Sequence, residues 1–230
     1  MSSAAAANEQ PGAILRRAIS VLRGGGAALP VVTASWAQSS TGAIAAPDGQ
    51  RVNLSGHEAL VLTHQLRALH DAILVGVQTV LSDDPLLSVR LAPGPQPRPV
   101  VLDSHLRTPL TARLLERTDI KPWIFYSDAP EGKADDLTRL GATVFRVGRR
   151  IDGLDLREVL AILRERGIAS LMVEGGARVL GSFLRSGHAA QVIVTESASK
   201  ITGVAGPAIP PFKVSEREIF GVDTVTWGQP

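Results

Sequence analysis

The chain has no cysteine, which removes disulfide frameworks, thiolate nucleophiles, thiolate zinc sites and cysteine-held iron–sulfur clusters before any motif is read. Chemistry therefore falls to histidine, carboxylate and hydroxyl groups. Aromatic residues make up only 4% of the sequence, too few for the interleaved stacking surface that single-stranded nucleic acid needs. Neither charge sign dominates: 24 Lys and Arg stand against 22 Asp and Glu, a formal net charge of +2, so no nucleic-acid footprint is expected. No apolar run reaches the roughly 18 residues of a membrane-spanning helix, because Arg, Asp, Gln or Gly interrupts each one, and no membrane partner is expected. Met1 to Ala7 is small and polar, and Ile14 to Leu22 carries Arg16 and Arg17, unlike a secretory signal. A cytoplasmic location is the expectation; an organellar transit peptide is the alternative, against which Glu9 and Pro11-Gly12 argue.

What is present is chain enough for a real core: 230 residues, 44% hydrophobic and 20% charged. Residues 1–28 read as an N-terminal extension with one short docking helix, in which Ile14, Ala18, Val21 and Leu22 share a face before Gly24-Gly25-Gly26 stops it. From residue 29 to 230, short apolar runs alternate with helical patterns. The predicted strands are Val31–Thr33, Ala72–Val75, Val100–Leu102, Trp123–Tyr126, Thr143–Phe145, Ser170–Val173 and Val192–Thr195. Glu58 to Leu69, Asp135 to Leu140, Leu156 to Arg166 and Ala177 to Arg185 carry helix-spaced Leu and Ala. Strands that are apolar throughout imply burial on both faces, hence an α/β fold, while the alternation in Val222 to Trp227 implies an antiparallel strand. A single domain over 29–230 with a mixed, mostly parallel central sheet flanked by helices is expected, with Pro93 to Pro99 as a turn between elements.

Candidate chemistry is sparse. Glu174-Gly175-Gly176 follows a strand and opens a helix, where glycines let backbone approach a ligand and free N–H groups attract an anion; ordinary turn chemistry explains it equally well. Neither G-x-G-x-x-G nor a P-loop occurs. Asp83-Asp84-Pro85 is an acid/base pair or, more commonly, a turn starter. The five histidines, at 57, 64, 70, 105 and 188, lack metal spacing, so no metal site is expected and surface or capping roles are favoured. Arg67 and Arg90, flanking the Ala72 strand, are either two guanidiniums converging on a phosphate or arginines paired with local carboxylates.

Together these segments resemble the RibD C-terminal family, the reductase domain of bifunctional riboflavin-biosynthesis proteins, whose fold is related to dihydrofolate reductase. The likeness rests on Val32-Thr33 through Ala45, on Leu66-Arg67-Ala68 with Asp71 to Arg90, on Pro99 to Ser104 with Arg107, and on Met172 to Leu180 with Phe183-Leu184. It implies NADPH as cofactor and a ribosylaminopyrimidine 5′-phosphate as substrate, reduced by hydride delivery to C1′ of the ribose. Residue by residue, it implies NADPH contacts for Ala37, Asn53, Thr79, Asp83, Ser104 and the turn and helix Gly176, Ala177, Arg178, Val179, Leu180, Gly181 and Ser182. Substrate contacts are implied for Arg51, Arg67, Leu87, Arg90 and Glu174, with Glu174, then Asp83, as candidate acid. Arg107 is a candidate for the cofactor 2′-phosphate. Where the family reads S-L-D-G this chain has Ser39-Ser40-Thr41-Gly42, and Asn53 replaces a common aromatic. These departures leave two alternatives beside the riboflavin reductase: a reductase of another pyrimidine or pterin, or a non-catalytic ligand-binding subunit. A homodimer through Val192 to Thr195 and the C-terminal tail is also implied. A deaminase, absent from these motifs, is expected as a separate partner.

Overall fold

Fully apolar strands set the architecture. The computed structural model describes residues 12–25, 28–48, 52–151, 153–207 and 212–230. Its elements are α1 (Ala13–Arg23), β1 (Val31–Ser39), β2 (Ala43–Ala45), α2 (His57–Ala68), β3 (Ala72–Gly76), α3 (Val77–Asp83), β4 (Arg98–Leu102), α4 (Arg113–Glu116), β5 (Trp123–Tyr126), α5 (Lys133–Arg139) and β6 (Thr143–Arg146). There follow β7 (Arg149–Arg150), β8 (Gly153–Leu154), α6 (Leu156–Glu165), β9 (Ser170–Val173), α7 (Ala177–Arg185), β10 (Ala189–Ser197), β11 (Val204–Ala205), β12 (Lys213–Phe220) and β13 (Asp223–Gln229). Nine strands form one sheet in the order β12-β13-β10-β1-β9-β3-β4-β5-β6. Every pairing from β10 to β6 is parallel, and β13 and β12 add an antiparallel edge. The fold is the mixed, mostly parallel α/β sheet that the apolar runs predict.

Alternate residues of each strand feed opposite faces. Leu74, Phe125 and Leu171 pack on one side with Leu160 of α6 and Phe183 of α7. On the other, Ile73, Val101 and Ile124 meet Val80 of α3 and Leu137 of α5, while Met172, Ile193 and Trp227 meet Leu62 and Leu66 of α2 and Ile14 and Ala18 of α1. The first helix docks as its apolar face predicts. Its uncapped N-terminus is held by a carboxylate from the far end of the chain: Ala13 N and Ile14 N donate to Glu218 of β12 at 3.1 and 2.9 Å, a favourable pairing of negative charge with the helix dipole.

Val192 to Thr195 lies inside the sheet between β1 and β13, and the outer strand on that side is β12 of the C-terminal hairpin. That strand was missed because its sequence, Lys-Val-Ser-Glu-Arg-Glu-Ile-Phe, is polar and largely exposed, as an edge strand tolerates. Against expectation, the histidines are not all at the surface, since His64 and His70 are both buried. His70 Nδ1–H donates to Leu66 O and its Nε2 accepts from Thr33, each at 2.7 Å; Gln191 Nε2 donates to Thr33 at 2.8 Å, and Trp227 Nε1 donates to Gln191 Oε1 at 2.7 Å. Donor-only Trp and acceptor-only carbonyl fix every orientation in this chain of bonds. Burial pushes the His70 pKa down, in keeping with a neutral imidazole.

Candidate active site

Parallel sheets place ligands beyond the carboxyl ends of their strands, and a cleft of roughly 1430 Å³ opens there. Pockets for one drug-sized ligand are about 300–1,000 Å³, so this one has room for two. Its wall draws on β1, α2, β3 with α3, β4, the turn from β9 into α7, and the β7–β8 hairpin. Nine arginines and five carboxylates line it among the described residues, a cationic surface suited to phosphorylated ligands.

One wall is built from backbone. Strand β9 ends at Val173 and α7 begins at Ala177, with Gly176 as N-cap and no side chain capping it; the first-turn N–H groups are thus available to an anion. Glycine is demanded nearby by contact rather than by turn geometry. A Cβ on Gly175 would sit 2.8 Å from Val179 Cβ, and one on Gly76, the N-cap of α3, 2.7 Å from Val179 Cγ2. The two helix starts can therefore approach each other only without side chains. Gly176 has no atom within 4 Å of a built Cβ and borders open cleft. Thr79 and Asp83 of α3, Ser104 after β4, Ala37 of β1 and Asn53 also line the cleft, as do Ala177, Arg178, Val179 and Ser182. Leu180 and Gly181 do not face it: the helical turn carries both to the buried side of α7, where Leu180 joins the core. Their expected cofactor contacts are corrected accordingly.

The other wall is built from charged side chains. Arg67 donates from Nε to Glu174 Oε1 at 2.8 Å and from Nη2 to Oε2 at 2.5 Å, and from Nη1 to Ser88 O at 3.1 Å. Both groups are largely withdrawn from solvent. Burial works against the charge on Arg67, but attraction and hydrogen bonding to Glu174 outweigh it and raise the pKa. Arg67 is thus paired with a carboxylate, though one 107 residues away rather than a local one, and it lines the cleft. Arg90 also lines the cleft, with Nη1 donating to Ser88 Oγ at 2.9 Å. Leu87 lies between, buried and with φ 50°, a left-handed conformation that costs a branched residue about 1–2 kcal/mol. Arg51 lies outside the described residues.

Beneath this wall sits His64, 3% exposed, whose Nδ1 accepts from Arg90 N at 2.9 Å. Burial, then the charges of Arg67 and Arg90, lower its pKa to about 4, so the ring is neutral and able to accept. Neither this histidine nor the hairpin arginines Arg149 and Arg150, which line the cleft, were singled out by the sequence. Arg107 and Arg113 line it as well. Asp83 ends α3 and accepts from Ser82 Oγ at 2.6 Å, while Asp84, left-handed at φ 40°, closes the helix and accepts from Arg113 N at 2.9 Å, the turn role favoured above. Thr41 lies in the turn between β1 and β2, its hydroxyl bonded to Ile201 O and Ser39, away from the cleft wall. Among the described residues no group of three or more His, Asp or Glu is placed to hold a metal, and no helix is long and apolar enough to cross a membrane.

The model of the RibD C-terminal domain matches residues 30–217. The chain belongs to the RibD C-terminal domain family. It is 38% identical over 175 residues to riboflavin biosynthesis protein RibD of Aquifex aeolicus, covering 76% of this chain and 48% of that protein. The chain thus spans about half the length of the RibD relatives it matches. A shorter relative, the 2,5-diamino-6-ribosylamino-4(3H)-pyrimidinone 5′-phosphate reductase of Eremothecium gossypii, is 32% identical over 220 residues, covering 87% of this chain and 84% of that one. Among solved structures, Acinetobacter baumannii RibD has TM-score 0.77 at 24% identity, covering 88% of this chain and 58% of that chain. The Saccharomyces cerevisiae riboflavin biosynthesis reductase Rib7 has TM-score 0.68 at 25% identity, covering 89% and 91%. Enterococcus faecalis dihydrofolate reductase, solved with NADP(H), shares the fold at TM-score 0.52 and 14% identity, covering 86% and 96%. As a RibD C-terminal domain, the chain brings parts of two of its family segments, Val75 to Arg90 and Glu174 to Val179, to one cavity.

Proposed function

We propose that the chain reduces a ribosylaminopyrimidine 5′-phosphate to its ribitylamino product with NADPH, as a step of riboflavin biosynthesis. The observation that carries this reading is the meeting, in one cationic cleft, of an uncapped helix start under close-packed glycines with the Arg67–Glu174 pair and Arg90. The relatives matched over most of their length bear that pyrimidinone phosphate in their names, which supports the substrate class. The backbone wall fits a dinucleotide, because Gly176 leaves space and the first turn of α7 offers free N–H donors.

When bound, the nicotinamide would supply the hydride for C1′. The chain's part is mostly to hold the reactants in register, worth several kcal/mol of the barrier. The first turn of α7 would hold the pyrophosphate, and Thr79, Asn53 and Ser104, which line the cleft, would contact the rest of the dinucleotide. Arg90, steadied by Ser88, takes the substrate phosphate. Glu174, fixed by Arg67, presents carboxylate lone pairs to donors on the substrate, and Trp36 and Leu87 keep water from the reacting carbon. The ring oxygen released from C1′ takes a proton from water, with Asp83, which lines the cleft at the end of α3, as the group that passes it on. Self-association, which the family likeness leads us to expect, falls in this reading to the edge strand β12.

The test is NADPH oxidation by the purified protein offered the ribosylaminouracil 5′-phosphate and, in parallel, its diaminopyrimidinone counterpart, with the product identified by mass. Consumption of either, with a gain of two hydrogens, is expected. Tight NADPH binding with neither compound consumed would overturn the riboflavin assignment.

A further inference from the structure

Pro85 to Arg90 crosses the cleft as neither helix nor strand, and its backbone partners are side chains from separate segments. Leu87 O accepts from Arg117 Nη1 at 2.9 Å, and Ser88 O from Arg67. Val89 makes both of its backbone bonds to one residue: its N–H donates to Gln96 Oε1 at 2.9 Å and its carbonyl accepts from Gln96 Nε2 at 2.8 Å. Arg90 N donates to His64 Nδ1. Arg117, buried, also reaches Pro97 O at 3.3 Å and is itself held by Asp119. Four consecutive residues are thus tied by four side chains, across a left-handed Leu87 that would relax if released.

We propose that His64 is a positioning residue for phosphate recognition: with Gln96 and Arg117 it frames the backbone of residues 87–90, so that Arg90 meets the sugar phosphate in one fixed register. The inference rests on the reading of the cleft as one that takes a phosphorylated sugar. His64 acts through Arg90 rather than on the ligand, since it sits on the buried side of α2 and its bond runs to a backbone N–H. What the frame supplies is pre-organisation: an arginine on an untethered loop would have to be ordered at each binding event.

The probe is ribose 5-phosphate, titrated against the intact protein by calorimetry, with NADPH titrated separately. His64→Leu removes the acceptor and is expected to weaken ribose 5-phosphate about tenfold while leaving NADPH affinity unchanged. His64→Asn, whose side-chain oxygen falls near the place of Nδ1, is expected to restore binding. Wild-type affinity in His64→Leu, or no restoration by His64→Asn, overturns the proposal. Should His64→Leu fail to fold, Gln96→Ala, at an exposed position, frees Val89 and is measured in the same way: an unchanged ribose 5-phosphate affinity overturns the proposal, and a loss confined to the phosphate supports it. A protein that turns over neither pyrimidine yet shows this His64 dependence loses the proposed function and keeps the frame. A wild-type chain that binds no ribose 5-phosphate loses the frame, whatever its turnover.

Discussion

The two walls of the cleft are made of different material. Around Gly76 and Gly175 the groups offered to the cleft are backbone N–H donors, and the sequence contributes chiefly by leaving side chains out. Across the cleft stand the side chains of Arg67, Glu174 and Arg90, with His64 beneath them, drawn from α2, the 85–90 segment and the end of β9. A backbone wall is indifferent to most substitutions but intolerant of added volume. A wall of interlocked charges accommodates volume and fails when one partner is removed, because the other is left without its counter-charge.

Removing a partner should therefore have the largest effect. Glu174→Ala strands the Arg67 guanidinium and should cost about 3 kcal/mol of stability together with most of the turnover; Glu174→Gln, keeping shape but not charge, should recover part of the stability in urea unfolding and little of the activity. On the backbone wall, Gly175→Ala drives a Cβ against Val179, costing about 1–3 kcal/mol by overpacking. The double variant with Val179→Ala should win back melting temperature and NADPH affinity together; recovery of neither would mean that the close approach is not what requires glycine. A third effect distinguishes the walls by pH. His64 has its folded pKa lowered to about 4, below the roughly 6.5 of an unfolded histidine. The unfolded chain then takes a proton that the folded one refuses, so this stability is full above about pH 6.5 and is lost as pH falls toward 4. His70 acts in the same direction. Thermal melts over that range should show a decline that is shallower in His64→Asn. Smallest of all, Gly176→Ala places its Cβ in open space at an ordinary φ of −66°, so stability should shift by less than about 0.5 kcal/mol while NADPH binding weakens measurably.

The same division explains what the sequence made legible. The backbone wall could be read because its cause is local: Glu174-Gly175-Gly176 sits between a buried apolar run and a helical pattern, and β9 and α7 fall where those patterns predict. The side-chain wall could not be completed, because its decisive bonds join residues 107 and 26 positions apart. Nothing near Arg67 says that its partner is Glu174 rather than a phosphate, and nothing near His64 says that a neutral ring will lie beneath Arg90. Leu180 and Gly181 were misplaced for a simpler reason. A motif names consecutive residues, whereas a helix turns roughly 100° at each one and buries part of any such run. Strand β12 escaped because edge strands are under no pressure to look apolar.

The tie between Glu218 and the start of α1 carries a consequence for assembly. Besides α2, the partners of that helix are Glu218, Val225 and Trp227 of the β12–β13 hairpin. The apolar stripe of α1 is therefore fully covered only once a hairpin about 200 residues further along the chain is in place, so helix and hairpin settle on the sheet as one unit and should exchange their amide hydrogens together.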